Sequence, residues 1–100
     1  MNFKKGVKIN GIRAEIVIAL MIAQETVRTY NVHYRLTVTS VTDGQHGNGS
    51  LHYVGAAADL RINDMMFDVN NYVESLKIAL KENYDVILEK DHIHIEYQPK

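Results

Sequence analysis

Residues 84–97 read YDVILEKDHIHIEY. Two runs rich in branched and aromatic residues, Tyr84 to Leu88 and His92 to Tyr97, flank the charged triplet Glu89-Lys90-Asp91, which is the pattern of a β-hairpin. Side chains of a strand alternate between its two faces, so His92, His94 and Glu96 share one face while Ile93, Ile95 and Tyr97 share the other. The hairpin therefore has a core side and a polar side, and the polar side carries two imidazoles and a carboxylate.

Working outward from it, Val69, Tyr72, Val73, Leu76, Ala79 and Leu80 recur at three- and four-residue spacing and predict an amphipathic helix. Residues 56–62 are short, small and apolar enough for a strand. Residues 42–50, TDGQHGNGS, form a long polar loop rich in glycine. Before the loop, Tyr34, Leu36 and Val38 alternate with Arg35, Thr37 and Thr39, predicting a strand with one buried face. Ile12, Ile16, Ala19, Leu20, Ala23, Val27 and Tyr30 mark a first helix, with Asn10 as its N-cap. The fold class expected is α+β, with two main helices packed on one side of a small, largely antiparallel sheet.

One hundred residues make one domain, residues 1–100, with one modest core. The formal net charge of -1 and the lack of a basic stripe argue against nucleic acid as the main partner. With no cysteine, a metal has to be held by imidazole and carboxylate. The apolar run at residues 16–23, IVIALMIA, follows several cations but is too short to span a membrane, and no small-residue cleavage site follows it. The chain is thus expected to lack both an export signal and a membrane span.

Residues 50–61, SLHYVGAAADLR, bring a second histidine and carboxylate out of the glycine-rich loop. Of the five histidines, His52, His92 and His94 fall in these two motifs, whereas His33 and His46 are expected to be ordinary solvated side chains. Zinc accounts for the concentration economically. A catalytic zinc takes three nitrogen or oxygen ligands and keeps a fourth position for water, whose pKa it lowers towards about 7. His52, Asp59 and His94 would supply that set. Gly55 would permit an unusual backbone angle, and the alanines would let the strand pass close beneath the metal.

Ser50-x-His52-x-x-Gly55-x-Ala57-x-Asp59 and Asp91-His92-x-His94 resemble the two motifs of the zinc D-Ala-D-Ala carboxypeptidases and their relatives, the phage L-Ala-D-Glu endolysins and vancomycin-resistance dipeptidases. Residues 41–61 together with 84–97 are also similar to the amino-terminal signalling domain of Hedgehog proteins, a related zinc fold that acts by binding partners. The resemblance implies a Hedgehog/DD-peptidase-like fold, His52, Asp59 and His94 as zinc ligands, Asp91 as general base, and His92 as a substrate or oxyanion contact. Glu89 is the rival base, because Hedgehog-like domains place a glutamate near that turn. Calcium is not expected, since Asp43 lacks the acidic companions of the Hedgehog calcium site.

The arginine that many such peptidases carry in the turn after the strand is absent from Ser40-Val41-Thr42-Asp43. Arg61, on the same strand face as Asp59, is the candidate replacement, with Arg35 a weaker one; Ser50 and Arg61 stand as the substrate contacts. The function so implied is zinc-dependent hydrolysis of peptidoglycan stem or cross-bridge peptides, by a carboxypeptidase or an endolysin-type endopeptidase. The alternative is a Hedgehog-like zinc module that binds without turnover. The enzyme is expected to be a bacterial or phage monomer, cytoplasmic on synthesis, that reaches the wall by a route such as release at phage lysis.

Overall fold

The computed structural model describes residues 1–42 and 54–100. The elements are β1 (Asn2–Phe3), α1 (Ala14–Val27), β2 (Thr37–Ser40), β3 (Ala57–Arg61), α2 (Val69–Leu80), β4 (Tyr84–Leu88) and β5 (His92–Tyr97). They form a compact α+β domain whose five strands lie in the order β1-β2-β3-β5-β4. β1 runs parallel to β2, and the other three pairings are antiparallel. No helix among the described residues is long and apolar enough to cross a membrane.

The alternation in the hairpin decides which side is core. Val38, Ala58, Leu60, Val86, Ile93 and Ile95 project from one face of the sheet into a cluster with Ile16, Leu20 and Val27 of α1 and Tyr72, Leu76 and Leu80 of α2. Burying those branched and aromatic side chains is the main source of stability, at roughly 25 cal/mol per Å² of apolar surface. Inside the cluster the Tyr72 hydroxyl donates to the Ala23 carbonyl at 2.9 Å, tying the two helices together. Burial pushes that phenol well above its ordinary range, so it stays a neutral donor.

The hairpin and α2 occupy the residues expected of them. Asp68 caps α2, its carboxylate accepting from the Asn71 amide at 3.2 Å. α1 begins later than its apolar spacing predicts. Asn10 is not the N-cap: Gly11 turns at φ 77°, the Arg13 amide donates to the Gly55 carbonyl at 3.0 Å, and Arg13 occupies the cap position without a side-chain bond. Ile12 therefore packs against the core from the turn. Likewise β2 starts at Thr37 rather than Tyr34, because the Gln24 side chain donates to the Tyr34 carbonyl and accepts from the Leu36 amide, both at 2.9 Å. Thr37 is buried beside Leu36 and Val38, so this strand shows no clean alternation.

β1 has no counterpart among the expected elements. The Asn2 amide donates to the Leu36 carbonyl and the Lys4 amide to the Val38 carbonyl, at 2.7 and 2.9 Å, which adds a parallel edge strand. Two residues are too few for a period to be read.

Candidate functional site

The site lies on the face of the sheet opposite the helices. β3 and β5 pair antiparallel with Asp59 opposite His94, Arg61 opposite His92 and Ala57 opposite Glu96. Directly paired residues project to the same side. Three adjoining cross-strand positions thus gather two imidazoles, two carboxylates and a guanidinium.

Their polar atoms form a continuous chain. Asp91 Oδ1 accepts from His92 Nδ1 at 2.6 Å, and His92 Nε2 stands 3.7 Å from Asp59 Oδ1. Asp59 Oδ1 is in turn 2.9 Å from His94 Nδ1, whose Nε2 lies 3.0 Å from Glu96 Oε1. Carboxylate and imidazole alternate from the hairpin turn to the middle of the sheet. Asp59, His94 and Glu96 are mostly buried, whereas the Asp91 side chain is 86% exposed.

These contacts set the titration of the groups. The hydrogen bond to Asp59 holds His94 above its ordinary value; burial opposes this, while the charge of Asp59 and the bond and charge of Glu96 reinforce it. For Asp91, the bond from His92 keeps the carboxyl below the usual carboxylate range, so it is an ionised proton acceptor at neutral pH.

A cleft of about 410 Å³ opens beside the chain, lined among the described residues by Lys4, Thr39, Asp59, Arg61, Asn63, Asp91 and His92. Asp59, Asp91, His92 and Arg61 thus line one cleft, whereas His94 touches Asp59 from outside that lining. Glu89 is not part of that lining; it is exposed at the end of β4, where its amide donates to the His92 carbonyl at 2.9 Å and closes the hairpin. Arg35 and His33 line a separate cleft with Gln24 and Arg28. Ser50, His52, His46 and Asp43, with most of the glycine-rich loop, lie outside the described residues.

Gly55 takes φ 74°, and a Cβ there would collide with the Gly11 carbonyl, so glycine is required both by conformation and by close approach. The alanines divide. Ala57 belongs to the site face, opposite Glu96, while Ala58 points into the core cluster. Residues with no role expected of them join the site: Glu96, whose shared face with His94 was visible in the alternation, Thr39 and Asn63 in the cleft lining, and Lys4, which depends on the short strand β1.

Among the described residues no three histidine, aspartate or glutamate side chains converge into a metal-holding group. The expected first ligand, His52, is outside them. The two that are described suit a divalent cation with nitrogen and oxygen preference. His94 Nδ1 and Asp59 Oδ1 face each other, while Nε2 is held by Glu96, the carboxylate–imidazole arrangement that fixes a ligand histidine's ring and tautomer. Comparison with protein-family models finds no match, and comparison with characterised proteins finds none either.

Proposed function

We propose that the chain is a zinc-dependent peptidase of the Hedgehog/DD-peptidase-like kind, hydrolysing peptidoglycan stem or cross-bridge peptides. The observation that carries the reading is the facing of Asp59 and His94 at 2.9 Å, with Asp59, His92 and Asp91 lining the adjoining cleft. His52, Asp59 and His94 would hold the metal, which when bound supplies Lewis acidity for water and carbonyl.

The chain's own residues carry the rest. Asp91, ionised and exposed at the cleft, accepts a proton from the attacking water and returns it to the leaving amine. His92, oriented by its Nδ1–H bond to Asp91, turns Nε2 toward Asp59, and as the imidazolium it can donate from Nε2 to a developing oxyanion. Glu96 fixes the ring of His94 through Nε2, which leaves Nδ1, beside Asp59, as the nitrogen that would serve the cation.

The test pairs metal content with digestion of purified peptidoglycan, the products being identified by mass. About one zinc per chain, lost in His94→Ala and Asp59→Ala, together with released stem-peptide fragments, supports the reading. Bound zinc with no wall peptide cut would leave the Hedgehog-like binding module as the better account. Zinc content unchanged by both substitutions would refute the ligand assignment.

A further inference from the structure

The first turns of α1 are apolar on both sides. Ile16, Ala19, Leu20 and Ala23 join the core, while Val17, Ile18 and Met21 are 42–64% exposed. A helix apolar all round belongs between two apolar surroundings, and among the described residues only the core side is covered. The helices pack chiefly against β5 and β4, so the β1 end of the sheet is left beside a groove of about 280 Å³. Only apolar side chains line it, among them Phe3, Ile9 and Ile12 from the amino-terminal segment and Val17, Leu20 and Met21 from α1. That segment is pinned to the fold: the Asn2 and Lys4 amides donate to the Leu36 and Val38 carbonyls, the Thr42 amide to the Lys8 carbonyl, and the Arg13 amide to the Gly55 carbonyl. Phe3 and Ile9 are therefore held in place with about half of their surface in water.

The charge of the segment selects the occupant. Residues 1–13 hold Lys4, Lys5, Lys8 and Arg13 and no acid, whereas residues 14–100 hold the other seven of the eleven Lys and Arg and all twelve Asp and Glu. Lys4, Lys8 and Arg13 each adjoin a lining residue in the chain, with Cα atoms about 3.8 Å apart. Arg13 is partly offset by Glu15, 3.3 Å away, and Lys4 lines the cleft on the other face of the sheet, which leaves Lys5 and Lys8, both exposed, to serve the groove. Two copies apposed through this face would bring two basic segments together, and like charge disfavours that. A protein or small-molecule ligand is oriented by a few placed polar groups, and the lining side chains offer none. An apolar phase bearing diffuse negative charge requires none. We propose that this face docks on the surface of a bilayer rich in anionic lipid, with Phe3, Ile9, Ile18 and Met21 entering the acyl boundary and Lys5 and Lys8 among the headgroups. The site described above lies on the opposite face of the sheet, so docking leaves its cleft open to solvent. The proposal stands whatever reaction the cleft performs.

The experiment is flotation of the full chain with vesicles of phosphatidylcholine alone and of equal parts phosphatidylcholine and phosphatidylglycerol. The chain should float with the mixed vesicles and hardly at all with the neutral ones, and added salt should release it by screening the headgroup charge. Lys5→Gln and Lys8→Gln should each weaken binding by about fivefold, the usual worth of one cation at an anionic surface. Ile18→Gln combined with Met21→Gln should weaken it by about tenfold or more, through lost apolar burial. All four side chains are exposed, and unchanged circular dichroism establishes that each variant is folded. No binding to either vesicle, equal binding to both, or binding that survives the loss of Ile18 and Met21 overturns the proposal. Sedimentation of the lipid-free chain tests the rival occupant: a dimer that the Ile18 and Met21 substitutions dissociate gives this face to a second copy and overturns the proposal as well.

Discussion

Asp91 and Glu89 stand two positions apart at one hairpin turn, yet of the two only Asp91 lines the cleft, and its carboxylate, not that of Glu89, holds the His92 ring. Asp91→Asn should leave zinc content intact and lower turnover by something like 10²–10⁴-fold, the usual contribution of a general acid–base group, while Glu89→Gln should change it little. The reverse pattern in steady-state rates would make Glu89 the base. Glu96→Gln should weaken zinc binding by about 10–100-fold in a chelator competition, because it releases the ring it orients. His94 gives a pH signature in the metal-free chain. Its folded value is raised above the ordinary 6.5, so the stability it contributes is present below that value and is lost as pH rises through the folded one. The urea midpoint of chelated protein should therefore fall across that window, and His94→Gln should flatten the trend. Zinc affinity should move oppositely, weakening as pH falls, because a proton competes for the same nitrogen. The sequence alone made Asp59, His92 and His94 legible, since residue type and a two-residue period suffice to put imidazoles on one face. Lys4 was not legible, because its place depends on backbone bonds to a strand more than thirty residues away.

Among the elements, the hairpin and α2 were legible because each has one unmixed period, which for the hairpin is punctuated by the Glu89-Lys90-Asp91 turn; the Asp68 cap of α2 is visible only in the structure. The start of α1 and the start of β2 were not. Both boundaries are set by long-range polar contacts, the Gly55 carbonyl in one case and the Gln24 side chain in the other, that override local pattern. This makes Gly55 a joint between the motif strand and the first helix. Gly55→Ala should destabilise the fold by about 2 kcal/mol or more, through the left-handed backbone and the collision with Gly11. Asn10→Ala should be nearly neutral, since Asn10 caps nothing. Denaturant melts of the two variants check both statements, and a costly Asn10→Ala would mean that the helix begins earlier than Ala14.

For the molecule as a whole, the helices and the core face of the sheet lie away from the proposed metal position, because the apolar cluster is on the other side of β3 and β5. Chelation should lower the melting temperature without abolishing the helical circular dichroism signal. At free zinc about 100-fold above its dissociation constant the linkage contribution is about 2.7 kcal/mol, roughly 10–20 °C for a domain of this size. A chelated chain with no helical signal would show that the metal is required for the fold itself.

The pairing of β3 with β5 also fixes an order in time. Asp91 and His92 are neighbours, and β4 meets β5 across a short turn, so those contacts are local and can form within microseconds. Asp59 and His94 are 35 residues apart, with all of α2 and β4 between them. Closing that interval costs chain entropy that only the assembled sheet repays. On the proposed reading, the proton acceptor would be in place during folding before the pair that would grip the cation, and a chain caught part-way would carry that hairpin without the means to arm it.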